Sequence, residues 1–162
     1  MKYLAGINLA HTEGIEAIVV GSTLASFWVV VARQRQYYSM SDAQGGRITS
    51  SPASILGRLV TPFHAITVAS VPLSYLAAVL FNRLEQPRWL QETGLLSGGL
   101  TIEDEDKALI RTLAAVGVVA ITLFHDVSVR TLGKQMHYIG VREKAQVVTT
   151  GPYAYVRHPI YT

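Results

Sequence analysis

The feature that most constrains this chain is a set of three apolar stretches, residues 15–32, 60–81 and 109–124, in which charge is almost absent. Glu16 is the one charge in the first, the second has none, and Arg111 is the one charge in the third. The hydrocarbon core of a bilayer takes about 20 residues of helix, so the second stretch spans it outright and the others span it as short helices. Lipid offers a peptide group no hydrogen bond, which leaves the α-helix as the form these stretches can take. The expected fold is therefore all-α: a multi-pass integral membrane protein with three transmembrane helices followed by a polar C-terminal loop. Composition agrees, since 49% hydrophobic and 15% charged residues are too apolar for a soluble domain of this size. A length of 162 residues accommodates one domain.

Several chemistries are excluded at once. There is no cysteine, hence no disulfide, thiolate nucleophile or cysteine-ligated metal. The net charge of +3 is scattered, with no basic patch interleaved with aromatics, so nucleic acid is not an expected partner. Residues 1–13 are interrupted by Asn8, His11 and Thr12 and do not form a signal peptide. The run Glu103-Asp104-Glu105-Asp106 lacks the spaced ligands and glycine turn of a hard-cation loop. It reads as the solvated start of the third helix, where negative charge is favourable, and no metal site is expected.

Within the spans, Gly21, Ser22, Ala25 and Ser26 recur at the four-residue spacing that lets helices approach closely in lipid. Packing against a neighbouring helix is the simpler reading; lining a groove for a lipid substrate is the sharper one. Pro62 and Pro72 predict kinks, with the hydroxyls of Thr67 and Ser74 placed to help satisfy freed carbonyls. His64, near the start of its span, is either functional or an interfacial, hydrogen-bonded histidine, the simpler reading. Arg111 is expected to snorkel outward. His125 and Asp126 are expected to form a polar helix end, since adjacent helical side chains diverge by about 100° and there is no nucleophile for a base to serve. Residues 34–52, with Gly45-Gly46, read as a flexible loop, and residues 127–150 as a mixed connection. Trp89, in the loop over 82–107, reads as an interfacial anchor.

Three spans put residues 33–58 and everything after Phe124 on one side. That side carries Arg33, Arg35, Arg47, Arg58, Arg130, Lys134, Arg142, Lys144 and Arg157, against Lys2, Arg83, Arg88, Lys107 and Arg111 opposite. Nine against five makes the first side cytosolic.

On that side the chain reaches its densest set of polar aromatic groups. Pro152 and Pro159 each fix φ, remove a donor and push the preceding residue, Gly151 or His158, away from helix, which predicts a shaped loop. The run Val147-Val148-Thr149-Thr150-Gly151-Pro152-Tyr153, then Tyr155-Val156-Arg157-His158-Pro159, then Tyr161, resembles the signature of the isoprenylcysteine carboxyl methyltransferase family. Arg130-Thr131-Leu132-Gly133-Lys134 resembles that family's linker out of the preceding transmembrane helix. The resemblance covers residues 130–162; the earlier helices match in character alone.

The resemblance implies a single membrane methyltransferase-like domain over 1–162 with its signature at 145–162. It also implies S-adenosylmethionine as cofactor, a prenylated protein or prenylcysteine as substrate held among membrane lipid, and the endoplasmic reticulum as location. The reaction would be that of a protein-S-isoprenylcysteine O-methyltransferase, placing a methyl group on the C-terminal prenylcysteine carboxylate. The implied donor-binding positions are Gln146, Val147, Val148, Tyr153, His158, Pro159, Ile160 and Tyr161. Arg157 also matches the motif, and either pairs a carboxylate or ties the loop to a neighbouring helix. Ala145 stands where many members carry histidine, and Ile160 where a small residue is common. In the family a further helix pair and a C-terminal segment bring an arginine and a glutamate that complete the site. The resemblance therefore implies a chain incomplete beyond Thr162, and it assigns no catalytic residue within 1–162.

The chemistry suits these groups. A carboxylate has a pKa about three units below neutral, arrives ionised and needs no base, so the protein positions and desolvates it. Tyrosine faces can lie against a sulfonium, a contact worth on the order of 1 kcal/mol. An amine acceptor, as in the phospholipid methyltransferases of the same superfamily, needs a base first, and His158 is the one candidate in the motif. A catalytically inert membrane protein acting through partner packing is the remaining reading.

Overall fold

The computed structural model describes residues 2–4, 7–8, 11–50, 52–89, 103–137 and 141–160. Three long helices carry the fold: α1 (His11–Gln44), α2 (Ile55–Phe81) and α3 (Asp104–Leu132). Each runs beyond the apolar stretch that predicts it. Residues 34–44, expected as loop, continue α1, because no glycine or proline interrupts them before Gly45. Residues 127–132 likewise continue α3.

Two small antiparallel ribbons correct the all-α expectation to a mostly helical one. β1 (Lys2–Leu4) pairs with β2 (Ile7–Asn8), and β3 (Ile48–Ser50) with β4 (Val141–Arg142). Where the chain leaves a helix its peptide groups still need partners, and a short ladder supplies some of them.

All three helices are long and apolar enough to cross a membrane. At most 17% of any of their apolar windows is buried, whereas a helix of a water-soluble bundle buries a full apolar stripe. Leu56, Phe63, Val71 and Phe81 of α2 and Ile121 of α3 all point outward. The small-residue face is open in part: a Cβ added at Gly21 would meet nothing within 4 Å among the described residues and Ala25 is exposed, while Ser22 and Ser26 are partly buried. Small residues permit close approach, but larger contacts elsewhere on the helix decide whether it occurs.

The helices contribute to two compact units, Met1–Ala25 with Ser70–Val119 and Ser26–Ala69 with Ala120–Thr162. The first has a small core of Val20, Leu76 and Val79, with Tyr75 and Leu84 against it. There α2 ends in a Schellman turn: the Leu84 amide donates to the Val79 carbonyl (2.9 Å) and the Arg83 amide to the Leu80 carbonyl (3.3 Å). Arg83 takes the left-handed position of that turn, with φ 55°.

In the second unit α2 begins at a serine cap, the Ser54 hydroxyl accepting from the Gly57 amide at 3.1 Å. Asp126 is buried well inside α3 rather than forming a polar helix end. Its carboxylate forms ion pairs with Arg33 of α1, Nε at 3.0 Å, and with Arg130, Nη2 at 2.6 Å. The Thr67 hydroxyl donates to the Phe63 carbonyl and, in the first unit, that of Ser74 to the Val71 carbonyl. Both are back-bonds to carbonyls other than those of Arg58 and Val68, which Pro62 and Pro72 release.

Candidate functional site

The signature segment belongs to the second unit, and it rests on a platform built by Arg142. That side chain is 1% exposed. Its Nε donates to the Met136 carbonyl at 3.1 Å and Nη1 to the Gly46 carbonyl at 2.9 Å. Nη2 reaches the Ser41 hydroxyl at 2.7 Å, Asp42 Oδ1 at 2.9 Å and the Met136 carbonyl at 3.0 Å. One guanidinium thus ties the end of α1 to the chain that leaves α3, satisfying carbonyls that no helix satisfies. Gly45 makes this possible, since a Cβ there would collide with the Lys134 carbonyl oxygen and lie 2.8 Å from that of Ser41. The β3–β4 ladder adds the Thr49 hydroxyl donating to the Val141 carbonyl at 3.0 Å.

From this platform the segment is held at two points near the end of α3. Gln135, almost fully buried, donates from Nε2 to the Lys144 carbonyl and accepts the Gln146 amide at Oε1, both at 3.1 Å. Gly151 sits against Thr131, whose Oγ1 would lie 3.0 Å from an added Cβ. With φ 57°, Gly151 adopts a left-handed conformation that a side chain would strain.

Between the two anchors residues 147–150 carry no helix or strand, and Val147 is 90% exposed. Beyond them Gly151–Ala154 form a 3-10 turn with Pro152 near its start, where a missing amide costs no helical bond. The expected shaped loop is thus helical for one turn.

The donor-binding positions implied by the resemblance are placed as follows. Gln146, Val147 and His158 are exposed, Val148, Tyr153 and Ile160 are partly buried, and Pro159 is buried. Tyr161 lies outside the described residues. Gln146 is fixed by its amide, and Tyr153 is positioned by the turn, its amide donating to the Thr150 carbonyl at 3.2 Å. The 146–148 run and the turn that begins the 153–160 run share attachment to the end of α3, through Gln135 and Thr131 respectively. Arg157 is exposed and makes no ion pair among the described residues.

Backbone and aromatic groups are both presented along this segment. The backbone amides of Val147 and Val148 have no partner among the described residues, which leaves hydrogen-bonding edges for the polar parts of a nucleoside or amino acid. Tyr153 adds an aromatic face. No group of three or more histidine, aspartate or glutamate side chains able to hold a metal occurs among the described residues. Arg142 and Gln135, which position the segment, were not singled out by sequence. The one available signal was their polarity beside Val141 and Met136; spacing does not reveal that Arg142 meets Ser41 and Asp42 about a hundred residues away, or that Gln135 meets Lys144 and Gln146 across irregular chain.

A second polar cluster lies in the first unit. Glu16 of α1, 1% exposed, forms an ion pair with Arg111 of α3, whose Nη1 lies 3.0 Å from Oε1, and accepts the hydroxyl of Tyr75 of α2 at Oε2. Arg111 Nη2 also donates to Gln86 Oε1 at 2.8 Å. Arg111 therefore turns inward to a carboxylate instead of snorkelling, because the Coulomb attraction of a buried carboxylate in a low-dielectric setting outweighs partial hydration.

No family model, curated protein or solved structure matches the chain.

Proposed function

We propose that the protein is a membrane-embedded S-adenosylmethionine-dependent methyltransferase of the isoprenylcysteine type, acting on a prenylcysteine carboxylate. The observation that carries the reading is the ordered Gly151-Pro152-Tyr153 and Arg157-His158-Pro159 set, presented on a segment anchored through Gln135 and Thr131. The outward apolar surface of all three helices supports membrane insertion, and the lysine and arginine distribution supports a cytosolic signature. The endoplasmic reticulum is the membrane this reading favours.

When bound, S-adenosylmethionine supplies an electrophilic methyl group on a sulfonium. Val147 and Val148 would hold its polar parts through backbone groups, and Tyr153 would offer a ring face. Gln135 fixes where the Gln146 backbone lies, and so where that edge is presented. A prenyl chain would lie among the apolar helices, leaving its ionised carboxylate at the interface, where no general base is required.

The test uses this chain, and in parallel the product of its complete transcript, in nanodiscs. Saturable S-adenosylmethionine binding is expected, weakened by Tyr153→Ala, together with methyl transfer to a farnesylcysteine analogue. Transfer to phosphatidylethanolamine and not to farnesylcysteine would move the assignment to the phospholipid methyltransferases. Absence of both binding and transfer in both proteins would overturn the enzyme reading and leave the inert one.

A further inference from the structure

The second unit also presents a shallow, open groove along one face of α1, lined among the described residues by Val31, Gln34, Arg35, Tyr38, Ser39 and Asp42. Their spacing puts all six on one helix face. The face changes character along its length, from Val31 through Arg35 to Tyr38, Ser39 and Asp42. At 1.5 Å per residue its ends are roughly 16 Å apart. An apolar span that runs into arginine, tyrosine and serine marks the headgroup level of a bilayer.

Charge decides what such a groove would hold. The second unit contains nine lysines and arginines against Asp42, Asp126 and Glu143, a net +6. The first contains five against eight, a net −3, and the two sum to the chain's +3. Inside the groove the one carboxylate, Asp42, is engaged by Arg142 at 2.9 Å. Arg35 is exposed and has no carboxylate partner among the described residues. Close by in sequence, Arg33 shares Asp126 with Arg130, two guanidinium groups on one carboxylate, which leaves a further positive charge uncompensated.

We infer that this α1 groove binds the headgroup phosphate of an anionic membrane phospholipid. Arg35 supplies the cation, the Gln34 amide and Ser39 hydroxyl supply hydrogen bonds, and Val31 marks the acyl end. A zwitterionic lipid carries the same phosphate but compensates it with its own ammonium, so the basic unit favours the anionic lipid. The inference rests on the membrane half of the proposed function and is independent of methyl transfer.

The full chain is reconstituted into nanodiscs of phosphatidylcholine containing a minor fraction of phosphatidylglycerol, and the lipid retained after release into detergent is identified by native mass spectrometry. Phosphatidylglycerol is expected to be enriched over phosphatidylcholine. Arg35→Gln should cut the enrichment roughly fivefold, the scale of one basic residue at a charged interface. Arg47→Gln, an exposed basic residue of the same unit outside the groove, should leave it nearly unchanged. Free glycerophosphate should not displace the lipid, and Arg35→Lys should retain most of the enrichment if Arg35→Gln fails to fold. Equal retention of the two lipids, an equal effect of the Arg35 and Arg47 variants, or displacement by glycerophosphate would each overturn the inference. Failure of the chain to float with vesicles would instead overturn the membrane reading beneath it.

Discussion

In the Met1–Ala25/Ser70–Val119 unit a buried carboxylate, Glu16, is answered by side chains: Arg111 and the Tyr75 hydroxyl. In the Ser26–Ala69/Ala120–Thr162 unit a buried guanidinium, Arg142, is answered largely by backbone, the carbonyls of Met136 and Gly46. The reason lies in what surrounds each charge. Where all three neighbours are helices, peptide groups are already paired within the helices and a polar side chain finds only other side chains. Where α1 ends and α3 gives way to irregular chain, carbonyls are left over, and one arginine can collect several. Glu16 therefore joins helix to helix in the first unit, as Asp126 does through Arg33 in the second, whereas Arg142 gives non-helical chain a fixed shape. The proposed donor-binding segment hangs on the second kind.

The largest expected effect breaks the first half of this contrast. Arg111→Ala strands Glu16 without its cation and should destabilise the protein by about 3–5 kcal/mol, the usual cost of orphaning a buried ion-pair partner. Chemical unfolding in detergent measures it. The double variant Glu16→Gln with Arg111→Met should recover most of the loss, and its failure to do so would show that the pair does more than neutralise charge.

Arg142→Ala comes next, at roughly 2–4 kcal/mol. It leaves buried carbonyls unpaired, while its exposed partner Asp42 can return to water. Hydrogen exchange should rise around residues 41–46 and 135–146, with the Glu16 cluster unaffected; loss of protection in both units would argue against treating them separately.

A smaller change sharpens the positioning role. Gln135→Ala removes one acceptor and one donor, costs about 1–2 kcal/mol, and should release the Gln146 amide to exchange. If S-adenosylmethionine binds, its affinity should fall with this variant although Gln135 is not among the implied donor contacts. Gln135→Glu keeps the acceptor for the Gln146 amide, and so should restore part of both effects.

The smallest effect has the opposite sign. Arg83 adopts φ 55° in the turn that closes α2, a conformation that costs a residue with a Cβ about 1 kcal/mol or more. Arg83→Gly should stabilise the first unit by up to about 1 kcal/mol in thermal unfolding, and destabilisation would mean that the arginine makes a compensating contact.

The helices are legible in the sequence because apolar runs of this length have few alternatives, and the acidic start of α3 is legible because charge at a helix terminus is a local matter. The extension of α1 to Gln44 is not, since its polar residues look like loop but have adequate helix propensity. Arg111 and Asp126 likewise look like end residues. Arg111 is a partly buried and Asp126 a buried helix charge, and the partner of each, Glu16 or Arg33, lies on α1. Spacing along one helix says nothing about which face of another helix it meets.

What the sequence by itself determined is the class of molecule: a mostly helical chain with three segments long and apolar enough to cross a membrane, and a proline-marked polar aromatic segment after them. Both follow from local chemistry, namely hydrophobic length and fixed proline φ. Only the tertiary structure decided that Arg142, Gln135, Gly45 and Thr131 hold that segment, and that Glu16, Tyr75 and Arg111 meet. Those pairings join residues up to a hundred positions apart, and a buried charge selects its partner by proximity in space.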